Sequence, residues 1–209
     1  MRKLIMLVAI IACTALTATA QTTTSDDYDK VNFFAGFSHN RVDTGLDSNE
    51  DPEFDDIVDE REGYNGFNTS VTGNLSRYVG LKGDYSFHRN TQNFNEFLPG
   101  FEIKTDLHNF VGGVQIKDNS KERKVKPFAH LMAGVAHVKF NISGISQADL
   151  DDLDINDTET GFAGIVGGGI DFRINDRLDF RAVQFDYNPT RLDDQTQHNF
   201  RIGIGIVIK

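Results

Sequence analysis

Apolar and polar residues alternate with a period of two along most of the chain after Asp29. The clearest stretch places apolar residues at every second position from Phe200 to Ile208, with Arg201, Gly203 and Gly205 between them. Because a β-strand points successive side chains to opposite faces, this pattern predicts strands with one apolar face. Eight such stretches follow one another, and no apolar period of 3.6 residues is visible after the first 20 residues.

Two stretches depart from this alternation. In the fifth stretch, which includes residues 129–136, both faces are small or apolar. In the seventh, Arg181 falls on the opposite face from Gln184 and Asp186. We therefore predict a β-bulge near Ala182 or Val183, since one extra residue would return the polar side chains to a single face.

The connections between the stretches alternate in length. Long connections run over residues 42–63, 89–106, 141–159 and 188–198, and short ones over 76–77, 118–124 and 175–177. Four long loops at one end and three short turns at the other predict an all-β fold, an eight-stranded antiparallel up-and-down barrel. Stretches of about 9–11 residues have the length of a tilted strand that crosses a bilayer.

The alternation alone leaves open which face meets water. A transmembrane barrel would enclose the charged side chains, whereas a soluble, lipocalin-like barrel would expose them. We favour the transmembrane barrel, because the loops are asymmetric and the apolar face is rich in branched and aromatic residues. An unpaired charge inside a barrel is costly, so we expect opposite charges to pair there. The predicted lumen charge network consists of Lys82, Asp84, Asp171, Arg173, Arg181, Asp186 and Arg201.

Residues 1–20 have the layout of a secretory signal peptide. Two basic residues precede the apolar run Leu4–Cys13, and the segment closes on Ala18-Thr19-Ala20. Cleavage after Ala20 would leave a barrel domain of residues 21–209. A lipoprotein-type cleavage before Cys13 is the alternative, since the residues preceding it resemble a lipobox.

Composition narrows the function classes. The 209 residues include 21 Lys and Arg against 31 Asp and Glu, which gives a formal net charge of -10. This sign is wrong for a protein that neutralises nucleic acid phosphates, so nucleic acid is not an expected partner. No apolar run approaches the roughly 20 residues of a transmembrane helix, so membrane insertion would use strands.

Four segments resemble the small outer-membrane β-barrels of Gram-negative bacteria, the OmpA-like transmembrane domain and its relatives. They are residues 126–134, 167–173, 181–187 and 199–209. The resemblance covers the whole of residues 21–209 and implies a monomeric barrel in the cell outer membrane. The chain departs from the family at its end, because Val207-Ile208-Lys209 stands where an aromatic residue usually assists assembly.

The topology favours a non-enzymatic outer-membrane barrel with a structural or surface-interaction role through acidic extracellular loops. The first long loop, residues 43–62, contains ten carboxylates and a single base, Arg61. Carboxylates at this density attract divalent cations, which can bridge to lipopolysaccharide phosphates. Outer-membrane lipid, divalent cations and lipopolysaccharide are therefore the expected partners. A narrow pore and a soluble periplasmic barrel that binds an apolar ligand are the alternatives.

The sequence offers little that points to chemistry. Residues 152–163 begin like an EF-hand, but Asp157 replaces the required glycine and Ala163 the bidentate glutamate. We therefore expect no cofactor, no metal site and no catalytic residue. The histidines are scattered without zinc-ligand spacing: His39, His88, His108, His130, His137 and His198. A lipid-modifying enzyme would have to use the conceivable cluster of Ser38, His39, Asp84 and His88.

Overall fold

The structure is a computed structural model that describes residues 27–43, 61–93, 100–144, 158–192 and 195–209. The predicted signal peptide lies outside these residues, as do most of the first long loop and the first half of the EF-hand-like segment, residues 152–157. The strands are β1 (Val31–Asp43), β2 (Arg61–Asn74), β3 (Val79–Asn93), β4 (Glu102–Lys117), β5 (Val125–Ser143), β6 (Thr158–Arg173), β7 (Leu178–Leu192) and β8 (Gln195–Ile208).

Each strand pairs antiparallel with the next, and β1 pairs with β8 from Phe33↔Ile208 to Arg41↔Phe200. The sheet is therefore a closed barrel without free edges, which confirms the predicted eight-stranded up-and-down fold. Within the described residues, no helix has the length and apolar character needed to cross a membrane.

The two ends of the barrel differ, and we call them the turn end and the loop end. Short connections join β2 to β3, β4 to β5 and β6 to β7 at the turn end, as predicted. The prediction of a long connection over residues 188–198 is wrong, because β7 and β8 continue to Leu192 and from Gln195. Both faces of this hairpin are largely polar, so its strands resemble a loop in sequence.

The apolar face of every strand points outward. Leu131 is 62% exposed and Phe110 is 51% exposed, whereas the charged Arg201 and Asp186 are buried in the lumen. The soluble, lipocalin-like alternative is therefore wrong, since a continuous apolar surface of this kind requires lipid around it. The exposed apolar residues include Phe33, Phe37, Phe67, Leu81, Val114, Ile116, Val135, Phe162, Val166, Phe185, Ile202, Ile204 and Ile208.

The predicted β-bulge in the seventh stretch is present. The register of β7 shifts between Arg181 and Gln184 against β8, and the partner strand β6 shifts between Ile170 and Asp171. Ala182 and Val183 fill the extra position, so that Arg181, Gln184 and Asp186 all face the lumen. A bulge that restores the alternation allows this strand to contribute three polar groups to one layer.

Aromatic and histidine side chains border the apolar surface toward the loop end. Tyr85 stacks on His108 and shares a 3.0 Å hydrogen bond with its Nδ1. Tyr187 and His198 form the same arrangement, with 2.5 Å between the hydroxyl and Nδ1. Such rings have an apolar body and a polar tip, which suits the boundary between a bilayer and water.

The turn end is closed by polar contacts in the connections. Arg77 donates to both oxygens of Asp118, at 3.0 and 3.3 Å, and Arg123 donates to the second oxygen at 3.1 Å. The Arg77 guanidinium holds the pKa of Asp118 well below its usual range. Because a depressed carboxyl pKa stabilises the fold above the unfolded pKa, this contact is lost only in strong acid. Residues 27–30 lie across the same end, with a bridge between Tyr28 and Ser120.

A charge on the outer face tests the orientation of the barrel. Ile204 lies midway along the apolar run of β8, and Ile208 lies at its turn end. We expect Ile204→Lys to lower the free energy of unfolding by about 2–4 kcal/mol in lipid vesicles, and Ile208→Lys by about 0–1 kcal/mol. Urea titration of the reconstituted protein measures both. An equal effect at the two depths would contradict the transmembrane orientation.

Candidate functional site in the barrel lumen

The lumen contains a layer of charged side chains in its turn-end half and an apolar layer in its loop-end half. We call the charged layer the lumen network. It consists of six cations, Lys82, Lys117, Lys126, Arg181, Arg201 and Lys209, five carboxylates, Asp29, Asp84, Asp171, Asp179 and Asp186, and the polar His130 and Gln184. With six cations against five carboxylates, the network is nearly neutral.

Arg201 on β8 connects opposite walls of the barrel. Its guanidinium donates to Asp186 through Nε at 2.9 Å and Nη2 at 2.7 Å, and to Asp84 on β3 through Nη1 at 3.1 Å. All three side chains are almost completely buried. Charge-assisted hydrogen bonds of this kind are stronger than neutral ones, and a buried guanidinium needs them to offset its desolvation.

His130 on β5 joins Asp186 to Lys82. Its Nε2 lies 2.7 Å from Asp186 Oδ1, and its Nδ1 lies 3.2 Å from the Lys82 ammonium. An ammonium can only donate, so Nδ1 accepts and Nε2 carries the proton. A neutral imidazole therefore bridges the two charges, and Lys82 also lies 3.5 Å from Asp84.

Arg181 on β7 extends the network toward the turn end. It donates to Asp171 on β6 through Nε at 2.8 Å and Nη2 at 3.2 Å, while Nη1 donates to Gln184 at 2.7 Å. The Phe34 and Phe128 rings lie against its guanidinium, with centroids 4.2 and 4.1 Å away. Two aromatic faces and three hydrogen bonds fix this cation in the centre of the barrel.

Three lysines close the turn end. Lys117 donates to Asp171 at 2.6 Å, and Lys126 and Lys209 donate to the two oxygens of Asp179 at 3.2 and 2.7 Å. Asp29, from the segment that lies across this end, is 3.6 Å from Lys126 and 3.9 Å from Lys209. The N-terminal segment and the last residue of the chain thus belong to one ion-paired layer.

The structure brings six of the seven residues of the sequence-based network into this layer. Arg173 is elsewhere, because it lies at the turn-end rim and donates to Asp176 and the Lys121 carbonyl. Its position as the last residue of β6 places it outside the enclosed region. The prediction missed Asp29, Lys117, Lys126, His130, Asp179, Gln184 and Lys209, most of which share the inward parity of the predicted residues.

Glycines make room for the large side chains of the network. A β-carbon at Gly167 would overlap Asp186 Oδ1, and one at Gly169 would lie 2.8 Å from the Phe128 ring. Residues larger than glycine on this part of β6 would displace the carboxylate and the ring that hold Arg201 and Arg181. The run of glycines therefore serves side-chain packing inside a narrow barrel.

The conceivable catalytic cluster is only partly assembled. Ser38 Oγ lies 2.7 Å from His88 Nε2, but both residues are completely buried, and His39 lies on the opposite face of β1. Within the described part of the chain, His88 Nδ1 has no hydrogen-bond partner, so no carboxylate orients the ring. A nucleophile needs both an oriented base and access to substrate. The pair therefore gives no support to catalysis.

An open cavity of about 460 Å³ lies at the loop end, above the lumen network. We call it the mouth cavity. Its wall is mainly apolar, with Val42, Leu107, Val138, Phe140 and Leu192 among the lining residues. Asp43, Glu62 and Glu159 also line it. Its volume is within the range of about 300–1,000 Å³ that small-molecule sites occupy.

The described residues contain no cluster of three or more histidine, cysteine or acidic side chains that could hold a metal ion. The first long loop, where the sequence concentrates its carboxylates, lies mostly outside them. Among the described residues, the candidate functional features are therefore the lumen network and the mouth cavity.

Comparisons with known proteins agree with this architecture. A family model described as outer membrane protein β-barrel domain matches residues 6–206. The solved structure of neisserial surface protein A is 11% identical over 87% of this chain and 97% of its own, with a TM-score of 0.59. That of Ail from Yersinia pestis, in complex with the heparin analogue sucrose octasulfate, is 16% identical over 85% and 97%, with a TM-score of 0.51. At these identities the likeness concerns the fold alone, and no curated protein matches the chain.

Removing one member of the lumen network tests its contribution to stability. Arg201→Met would leave Asp84 and Asp186 buried without their shared guanidinium, so we expect the free energy of unfolding to fall by about 3–5 kcal/mol. Arg173→Met is the matched control at the rim, where a loss of less than about 1 kcal/mol is expected. Urea titration in vesicles measures both. Similar losses for the two variants would contradict a stabilising lumen network.

Proposed function

The chain belongs to the outer membrane protein β-barrel domain family, and we propose that it is a non-enzymatic barrel with a closed lumen, which acts by contacts at its extracellular end. Outer-membrane barrels have short periplasmic turns and long extracellular loops, so the turn end faces the periplasm and the loop end faces the outside. Outer-membrane localisation follows from the family. The surface role is our proposal.

The lumen network is the observation that carries the proposal. Arg201 spans from Asp186 on β7 to Asp84 on β3, and Arg181 fills the layer below between the Phe34 and Phe128 rings. An ion would have to break these buried pairs to pass, at a cost of several kcal/mol. Eight strands also enclose an interior that side chains can fill completely. This argues against the narrow pore.

The outer surface supports contact with lipid phosphates. Just beyond the aromatic border, the outward positions carry a basic belt, which consists of Arg41, Arg89, Lys104, Lys139 and Arg191. Arg89 forms a bidentate pair with Asp106, and Lys104 lies 3.2 Å from Glu102. The exposed Arg41 and Lys139 are placed to meet anionic groups of the outer leaflet, since lipid phosphates lie at this level.

This assignment shifts the expected lipid contact from the loops to the barrel wall. The acidic first loop has the wrong sign for direct phosphate binding and would need a bridging divalent cation. The basic belt can bind phosphate without a bridging cation. Lipopolysaccharide phosphates are therefore proposed to bind the belt, and the acidic residues are left for partners of positive charge.

Electrical recording tests the closed lumen. We expect the wild-type protein to show no steady conductance in planar bilayers, because the lumen network blocks the passage. The double variant Arg181→Ser with Arg201→Ser removes the two central guanidinium groups and is expected to conduct. A heat-induced shift in gel mobility, which closed barrels show, verifies that each sample is folded. Steady conductance of the folded wild type would refute the proposal.

Charge removal on the belt tests the lipid contact. We expect Arg41→Gln with Lys139→Gln to lower the unfolding temperature of the barrel in lipopolysaccharide-containing vesicles. Each lost charge removes about 1 kcal/mol of attraction between the belt and the anionic lipid. Zwitterionic vesicles should show no difference. Lys124→Gln with Arg177→Gln, at the exposed periplasmic turns, is the control. A loss of the same size in both vesicle types would mean that the belt does not bind phosphate.

A further inference from the structure

We propose that His108, His137 and Lys139 form a binding site for the phosphate of an outer-leaflet lipid, and that protonation of the two imidazoles strengthens this site. The inference deepens the proposed function, on which it rests, because it makes the lipid contact of the basic belt depend on pH. It is carried by the position of the two rings, by their hydrogen bonds and by the charges that face them.

The two histidines lie side by side on the outer wall of the barrel. His108 on β4 pairs directly with His137 on β5, and the ring centroids are 6.3 Å apart. Both positions face outward, since Phe110 and Val135, two residues nearer the turn end, are exposed. Lys139 follows on the same face of β5, two residues nearer the loop end, and is exposed as well. The three side chains therefore lie where the aromatic border meets the basic belt.

The hydrogen bonds of the two rings are compatible with a second proton on each. His108 Nδ1 lies 3.0 Å from the Tyr85 hydroxyl, and His137 Nδ1 lies 2.7 Å from the Thr160 hydroxyl. A hydroxyl oxygen can accept as well as donate, so both contacts persist when the imidazole is charged. Because both contacts use Nδ1, Nε2 of each ring is the nitrogen that would donate to a phosphate oxygen. Such charge-assisted hydrogen bonds are stronger than neutral ones.

The charges that face the histidine pair belong to the belt and its carboxylates. On the β6 side, the outward positions opposite Lys139 and His137 are the neutral Thr158 and Thr160. Three cations and two carboxylates give the patch a net charge of +1 with neutral imidazoles and +3 with protonated ones. Among the described residues, these charged groups are Arg89 on β3, Glu102, Lys104 and Asp106 on β4, and Lys139 on β5.

Protonation of the pair and binding of a phosphate favour each other. Histidine changes its charge between pH 5 and pH 8, around an ordinary value of about 6.5. Two imidazolium ions on directly opposite positions repel each other, Arg89 adds to this repulsion, and Asp106 offsets part of it. A phosphate at the pair would remove the repulsion, so each ligand, proton or phosphate, raises the affinity for the other. The lipid contact should therefore strengthen in mild acid.

Binding of lipid A, the phosphorylated anchor of lipopolysaccharide, measures this effect. The barrel in neutral detergent micelles is titrated with lipid A in a calorimeter at about pH 7.5 and about pH 5.5, on either side of the ordinary histidine value. Each added charge near an anionic lipid strengthens binding about fivefold, so we expect the wild type to bind at least about tenfold more tightly in acid. Equal or weaker binding in acid would overturn the proposal.

Two further probes identify the source of the phosphate. Dephosphorylated lipid A should bind equally at both pH values, because it offers no anion to the imidazolium pair. Inorganic phosphate should not compete with lipid A, since a free ion lacks the acyl chains that hold the lipid against the apolar wall. Tightening with the dephosphorylated lipid would overturn the phosphate site, and competition by inorganic phosphate would overturn its assignment to lipid.

Paired substitutions fix the charge of the site. His108→Gln with His137→Gln should bind lipid A as the wild type does at about pH 7.5 and show no tightening in acid. His108→Lys with His137→Lys carries both charges throughout and should bind at either pH as the wild type does in acid. A heat-induced shift in gel mobility verifies that each variant is folded.

The matched control is His39→Gln with His198→Gln. These histidines also face outward, but their rings contact the neutral side chains of Asn65 and Tyr187 instead of a second imidazole. The control should keep the tightening in acid. If it loses the pH dependence as fully as the first paired variant, the assignment to His108 and His137 is wrong.

The two proposals fail in different measurements. Binding of lipid A at about pH 7.5 without tightening in acid would overturn the histidine pair and leave the basic belt in place. No binding at about pH 7.5 would refute the belt, even if lipid A binds in acid. Steady conductance of the wild type would refute the closed lumen whatever the lipid does.

Discussion

The structure depends on one constraint, which is that a charged side chain enclosed by eight strands must find an opposite charge inside the same barrel. Arg201 meets it with Asp84 and Asp186, and Arg181 with Asp171. The pair of Arg201 with Asp84 connects β8 to β3, so it ties opposite walls together across the lumen, and the other two pairs join neighbouring strands. Removal of any one partner would leave an unpaired charge buried in the lumen. The ion pairs therefore stabilise the barrel only when all of them are present.

The same constraint explains how the other parts of the barrel are arranged. The glycines of β6 leave the space that Asp186 and the Phe128 ring occupy, and the bulge in β7 aligns Gln184 with them. With the charged residues gathered inside the turn-end half, the outer face is left to apolar residues that meet lipid. Toward the extracellular mouth, a cluster of apolar side chains lines the lumen in place of the ion pairs.

This division gives the protein two surfaces of different character. The outer wall above the aromatic border carries Arg41 and Lys139 and suits anionic lipid headgroups. The mouth cavity has a mainly apolar wall, with Asp43, Glu62 and Glu159 as its charged residues. The strand alternation produces both, since neighbouring residues of one strand face lipid and lumen in turn.

The sequence by itself determined the number of strands, their direction, the bulge near Ala182 and which residues share a face, because a period of two is a local property of the chain. Only the tertiary structure decided that the apolar face points outward, that β7 continues to Leu192 and β8 begins at Gln195, and that Arg173 stays outside the network. It also brought Asp29 to Lys126 and Lys209 to Asp179, and it formed the mouth cavity from residues of all eight strands. These features depend on barrel closure and on the distances between side chains of distant strands, which alternation along one strand does not encode.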